Sequence, residues 1–279
     1  MTGTNDAAQR RKQRSGSFGE VAGEYGRLRP APCPAAVDWA LPDRPGARVL
    51  DLAAGAGTLT AELAARGLDV VAVEPDDRMR AVLEQRNPAV PALAGTAEGI
   101  PLPDGGLDGV LVSAAWHWFD ANRAVPEISR VLRPGGRLGV LWNGLDTGVD
   151  WVGEWHALTR RRDFDATDGA GPADSSLHGA PHRHMVARGE LLKRQLGSGD
   201  GPFVDLEHAS FGCSRRYSPA DAAALLGTYS RVIMLPPEDR AELLAEAREW
   251  LCGRFGLAPE QPGVELPFRS HCWRAVNRG

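Results

Sequence analysis

Apolar residues along this chain follow two alternating rhythms. Short runs with little polar interruption, such as Val49-Leu50-Asp51-Leu52 and Val70-Val71-Ala72-Val73, read as buried strands, whereas apolar residues at every third or fourth position read as helices. The pattern predicts a strand at 47–52, a helix at 57–66, a strand at 69–74, a helix at 76–86, strands at 89–93 and 107–112, a helix at 121–132 and a strand at 136–142. Strands alternating with helices give an α/β fold, a parallel sheet with helices on both faces. Pro126 suits the helix at 121–132 only if that helix starts near Arg123, which would put the proline in the first turn.

The flanks differ in character. Residues 1–16 read as a disordered tail, and Phe18, Val21, Ala22 and Tyr25 fall at helical spacing until Leu28-Arg29-Pro30 stops the helix. A second helix is expected from Pro34 to Leu41. Beyond 143, Trp151 and Trp155 stand one helical turn apart. Residues 163–201 are rich in Gly, Asp, Ser, Ala and His, with a helix-like patch at 184–196, and read as a mobile lid or disordered loop. A strand or hairpin at 203–217, a short helix at 219–226, an amphipathic helix at 236–250 and a last strand at 264–276 complete the chain. The expected organisation is a tail (1–16), N-terminal lid helices (17–45), a cofactor-binding core (46–143), a substrate cap (144–235) with its mobile loop, and a closing helix and strand (236–279).

The break between the first predicted strand and helix carries chemistry. The strand ends in Asp51 and passes through Ala53-Ala54-Gly55-Ala56-Gly57 into a helix. Small residues let the backbone approach a ligand closely, and the free N–H groups of a helix start attract an anion. The next strand ends in Glu74, and a carboxylate there can bind a ribose diol through two charge-assisted hydrogen bonds. Both features point to a nucleoside-containing cofactor at the carboxyl edge of the sheet. The dinucleotide fingerprint G-x-G-x-x-G fails at its third glycine, where Thr60 stands.

Five blocks decide between cofactors: Val-Leu-Asp-Leu-Ala-Ala-Gly-Ala-Gly at 49–57, Val-Glu-Pro at 73–75, Gly-Thr-Ala-Glu-Gly-Ile-Pro-Leu-Pro-Asp at 95–104, Ala-Trp-His-Trp-Phe-Asp at 115–120 and Val-Leu-Arg-Pro-Gly-Gly-Arg-Leu at 131–138. In this order and spacing, residues 49–143 resemble the class I S-adenosylmethionine-dependent methyltransferases, type 11 group. The resemblance implies a Rossmann-like seven-stranded sheet with an added substrate cap. It implies that Asp51 and the backbone of Ala53, Gly55 and Gly57 surround the methionine part, that Glu74, followed by Pro75, binds the ribose, and that Met79, Thr96, Ala97 and Glu98 meet the adenine, with Ser113 under the methionine. Two departures stand out: Ala53, where many members carry glycine, and Thr96, where many carry aspartate. The blocks around His117 and Trp142, with Leu-Pro-Pro-Glu-Asp-Arg at 235–240 and Val-Glu-Leu-Pro at 264–267, are similar to the trans-aconitate-type carboxyl methyltransferases, which implies O-methylation of an acid. C- or N-methylation of a specialised metabolite is the alternative. A nicotinamide-dependent dehydrogenase and a non-catalytic cofactor-binding protein are further readings, the first disfavoured by Thr60.

Ligands in such sheets bind beyond the carboxyl ends of the strands. Trp116 and Trp118 follow the fourth strand, and Trp142 and Trp151 follow the fifth, where they either line an aromatic substrate pocket or fill gaps between lid and sheet. His117 is the candidate general base or, alternatively, a residue that orients its loop. Tyr25 and Arg29, four residues apart, share a helix face and resemble the family's N-terminal lid, Tyr25 as a candidate catalytic group and Arg29 as a carboxylate partner. Arg215 is a candidate clamp for an acidic substrate or an ordinary surface charge.

Composition narrows the rest. The 279 residues suit one large domain, and a net charge of −4 argues against a dedicated nucleic-acid binder. No apolar run approaches the ~20 residues that span a bilayer. The basic N-terminus (Arg10, Arg11, Lys12, Arg14) lacks the apolar core of a secretory signal. Cys33, Cys213, Cys252 and Cys272 include no C-x-x-C pair and read as reduced cysteines of a cytoplasmic protein, and no metal site is expected. The expected partner is a small molecule; the sequence leaves the oligomeric state open.

Overall fold

Seven strands form one sheet in the order β3-β2-β1-β4-β5-β7-β6. The computed structural model describes residues 27–160, 181–196 and 201–279, so the predicted tail and all but the end of the first lid helix lie outside the described residues. The strands are β1 (Arg48–Leu52), β2 (Asp69–Val73), β3 (Ala92–Leu93), β4 (Leu107–Ser113), β5 (Leu132–Leu145), β6 (Phe203–Tyr217) and β7 (Val264–Asn277). The first five run parallel, and β7 lies antiparallel between β5 and β6. Because β7 is reversed, its first half lies at the carboxyl edge of β5: Phe268 stands opposite Leu145 and Ser270 opposite Asn143.

Helices cover both faces, as the alternating pattern requires. On one face α1 (Pro34–Ala40) and α2 (Thr58–Ala64) bury Val37, Leu59 and Leu63 against Val49 and Leu111. On the other, α4 (Ala121–Val131) and α6 (Pro181–Leu196) bury Ile128, Leu192 and Leu196 among Val110, Val140 and Trp273. Between them in chain order are α3 (Asp77–Arg86) and α5 (Asp150–Ala157). A third cluster joins α5, α7 (Pro219–Leu226) and α9 (Pro237–Phe255) to the start of β7; the short α8 (Ser230–Ile233) lies between α7 and α9. Among the described residues, no helix is long and apolar enough to cross a membrane.

Four expectations need correction. The helix around Pro126 begins at Ala121, because the Asp120 side chain accepts the Asn122 N–H and caps it. Proline is then tolerated in the second turn, since the carbonyl it cannot bond, that of Asn122, is at the exposed helix start. Within the predicted loop at 163–201, the expected helix-like patch at 184–196 is a helix over Pro181–Leu196, but it is seated on the main core and is not part of a loop; the rest of that stretch lies outside the described residues except Gly201. β6 belongs to the main sheet and not to a separate cap, because it pairs with β7 along nearly its whole length. The cysteines are not all reduced: Cys33 and Cys213 form a disulfide across 180 residues, leaving Cys252 and Cys272 as free thiols. Sequence spacing carries no sign of that pairing, because it is made by docking the segment before α1 onto β6.

Candidate active site

The turn after β1 is shaped by backbone conformations that side chains resist. Ala53, Gly55 and Gly57 all have positive φ, at 57°, 57° and 76°. A β-carbon on Gly57 would collide with the Asn87 amide and come within 2.8 Å of Leu83 Cγ. The space around Gly55 is open, so the backbone is bare on that side. Ala53 holds a left-handed conformation that costs an L-residue about 1–2 kcal/mol, which explains why glycine is the expected residue there.

Two buried carboxylates flank this turn. Asp51 is 1% exposed, and its Oδ2 accepts a 2.6 Å hydrogen bond from Thr60 Oγ1. Burial pushes its pKa up to about 7; the Thr60 hydrogen bond opposes the rise and the nearby Glu74 charge adds to it. Glu74, one residue past β2, accepts the Asp76 N–H at 2.9 Å and the Gly55 N–H at 2.8 Å. Burial raises its pKa as well, against the pull of those two N–H groups. The Glu74 carboxylate therefore ties the ends of β1 and β2 together. Thr60, which the sequence marks only as a missing third glycine, is fully buried and is the side chain that hydrogen-bonds Asp51.

A cavity opens at the carboxyl ends of β1 and β4. Asp51, Ala53, Gly55 and Ala56 form one side, Ser113 and Ala114 another, and Asn143, Gly144 and Phe268 continue around it. The outer wall is an extended segment, Arg29-Pro30-Ala31-Pro32, together with Tyr229. Arg29 donates from Nε to Thr228 Oγ1 (2.9 Å) and from Nη2 to the Thr228 carbonyl (3.1 Å), and its guanidinium lies 4.2 Å from the Tyr229 ring centre. Arg29 is the sole cationic residue and Asp51 the sole acid among the described residues lining this cavity.

The predicted site residues divide. Asp51, Ala53, Gly55, Ser113 and Arg29 meet at the cavity. Glu74 bonds the lining residue Gly55, Met79 is buried against Ala56, and Gly57, between the lining residues Ala56 and Thr58, caps α2. Ala97 is buried, whereas Thr96 and Pro75 are exposed, and Glu98 accepts the Asp120 N–H at 2.8 Å. The tryptophans do not line this cavity. Trp116 is buried in the core with its indole N–H on Gln195 Oε1, and Trp118 packs against the His117 ring. Trp142 is buried on the opposite sheet face, edge-on to Trp273 and under the Arg188 guanidinium. Trp151 stacks on Trp250 and meets Phe255 in the third core cluster. For these side chains the gap-filling alternative describes the placement: alternation along β5 sends Trp142 away from its neighbour Asn143, which does reach the cavity. His117 is exposed on a short 3₁₀ turn (Trp116–Trp118) and does not line the cavity. Arg215 faces α2, 3.9 Å from Glu62. Tyr25 lies outside the described residues. Among the described residues, no cluster of three or more His, Cys, Asp or Glu could hold a metal ion. Position after the fifth strand puts Asn143 on the ligand side in the sequence without giving it a role; Tyr229 and Phe268, which also line the cavity, carry no sequence signal.

Comparisons with known proteins agree with one another. Residues 50–140 match the family Methyltransf_11, described as a methyltransferase domain. The chain is 39% identical over 266 residues to an uncharacterized methyltransferase of Mycobacterium tuberculosis, covering 95% of this chain and 98% of that one. It is 45% identical over 102 residues to the demethylmenaquinone methyltransferase of Beutenbergia cavernae, covering 36% of this chain and 42% of that one. A solved structure from Anaeromyxobacter dehalogenans, named "Putative Type II Methyltransferase", superimposes with a TM-score of 0.62 at 24% identity, covering 90% of this chain and 97% of that one, and shares the fold.

Proposed function

Because this chain belongs to the S-adenosylmethionine-dependent methyltransferases, with S-adenosylmethionine as its cofactor, we propose that it methylates the carboxylate of a small organic acid. The observation that carries the acceptor reading is Arg29, a single guanidinium fixed on the wall of a cavity that holds no other cationic residue among the described residues lining it. A planar guanidinium matches a carboxylate through parallel hydrogen bonds.

The residues present fit the cofactor. The bare backbone at Gly55 leaves room for close approach, and a buried acid stands beside it. In this reading Asp51 and the turn at 53–57 hold the methionine part, Glu74 the ribose, and Met79 and Ala97 the adenine. When bound, S-adenosylmethionine supplies a methyl on a sulfonium whose sulfur leaves with the bonding electrons, so a carboxylate becomes an ester with no proton to remove. The protein then has to position the acid and exclude water, not to abstract a proton. A carboxylate is already ionised at neutral pH. The exposed place of His117 suits that reaction, which needs no base. C- or N-methylation of a specialised metabolite is the second reading, favoured by the likeness of the core to a demethylmenaquinone methyltransferase.

His117→Ala separates the two. On the carboxylate reading, turnover with an acid acceptor stays within about tenfold of the natural protein. General base catalysis contributes typically 10²–10⁴-fold, so a thousandfold loss with cofactor affinity intact would overturn the carboxylate assignment and make His117 the base.

A further inference from the structure

The cavity's outer wall has an unusual dependence. Within the strap at residues 29–33, Pro30 and Pro32 have no backbone N–H, so the strap cannot pair with a strand through a regular ladder of its own donors. The Cys33 carbonyl accepts the Ala36 and Val37 N–H groups at the start of α1, whereas the carbonyls of Pro30 and Ala31 are held by a side chain. Asn143, at the carboxyl end of β5, does this: its Nδ2 donates to the carbonyls of Pro30 (3.3 Å) and Ala31 (3.1 Å). Asn143 Oδ1 accepts from Ser270 Oγ at 2.9 Å, and Ser270 Oγ accepts the Cys33 N–H at 2.8 Å. Ser270 is fully buried and directly opposite Asn143 in the β5–β7 pairing. The serine hydroxyl donates to one end of the amide, which turns the other end, with both its hydrogens, towards the strap.

We propose that Asn143 is a positioning residue for cofactor binding: it acts through the strap carbonyls, with Ser270 setting the direction of its amide, to hold the wall that carries Arg29 against the cavity. The Cys33–Cys213 disulfide fastens the far end of the same strap. The amide grips its middle, beside Arg29. Asparagine is required rather than aspartate because the strap presents only acceptors at this point. This inference rests on the cavity being the cofactor site.

The test is Asn143→Asp, nearly identical in shape but with an acceptor in place of the double donor. Binding of S-adenosylhomocysteine is measured under reducing conditions, together with amide hydrogen exchange. The expected loss of affinity is about 10- to 100-fold, the effect of losing two hydrogen bonds and leaving carbonyls to face a carboxylate. At saturating S-adenosylhomocysteine, the ligand slows exchange at the turn amides 54–57 in both proteins, but at Arg29, Ala31 and Cys33 in the natural protein only. Ser270→Ala shifts both readings in the same direction by a smaller factor. Affinity within twofold of the natural protein, or exchange quickened in β1 and β4 as much as in the strap, would overturn the proposal. Glu74→Ala in the same assay separates the two levels: normal affinity there indicts the cofactor placement, and normal affinity in Asn143→Asp alone indicts the latch.

Discussion

At pH 8 an Asp51→Asn variant unfolds at a higher temperature than the natural protein, yet binds S-adenosylmethionine at least tenfold more weakly. The cause is the burial of Asp51. Its pKa is about 7 in the folded chain, against an ordinary 3.8. Between those two values the folded state keeps a proton that the unfolded state releases, so stability falls as pH rises through that window. Above pH 7 the full cost of the buried charge is present, roughly 4 kcal/mol at about 1.36 kcal/mol per pKa unit. Asparagine carries no charge and its amide oxygen still accepts the Thr60 hydroxyl. Its NH₂ group needs a partner and returns about 1–3 kcal/mol of that gain. The net stabilisation at pH 8 is therefore about 1–3 kcal/mol; it falls as pH drops and reverses near pH 4, where the natural Asp51 is protonated and only the cost of about 1–3 kcal/mol for the amide NH₂ remains. Thermal melts at pH 8 and pH 5 check the sign; a variant that melts lower at pH 8 contradicts it. Retaining a costly charge is the pattern of a site group kept for function at the expense of stability.

Glu74→Ala is expected to weaken S-adenosylhomocysteine binding by about 1.5–3 kcal/mol, the range for hydrogen bonds to a charged group. The loss has two sources. The ribose acceptors disappear, and the Gly55 and Asp76 N–H groups lose the carboxylate that joins the ends of β1 and β2. Glu74→Gln keeps the size and one carbonyl acceptor but turns an N–H₂ group towards backbone donors, so its affinity falls between the two. Isothermal titration calorimetry measures all three proteins. Unchanged affinity in a folded Glu74→Ala variant removes Glu74 from the site.

Much of the fold was legible because burial dictates periodicity. Val49–Leu52 and Val70–Val73 are strands buried on both faces and lack the alternation of a half-exposed strand; the structure places them side by side in parallel. The glycine turn was legible because Gly55 and Gly57 sit where the backbone needs positive φ, and Ala53 was marked as a departure at the position that proves strained. The aromatic side chains were not legible. Sequence places Trp142 and Asn143 at the same strand end, but which of two successive residues faces the ligand depends on the register of β5 against β7. The disulfide and the cavity walls at Tyr229 and Phe268 were hidden for a related reason. They are brought to the site by long-range docking of β6, β7 and the segment after α7, which no local pattern encodes.

Methyl transfer to a carboxylate in the cavity walled by Arg29 leaves a chemical mark that can be read in the product. The most direct measurement supplies the protein with S-adenosylmethionine bearing an isotopically labelled methyl and a panel of small organic acids, and follows the label by mass spectrometry before and after mild alkali. The expected result is a labelled product one methylene heavier than its acid, which alkali converts back to the unlabelled acid as an ester must, and a loss of that product in Arg29→Ala. A labelled product that survives alkali, carrying its methyl on carbon or nitrogen, would contradict it.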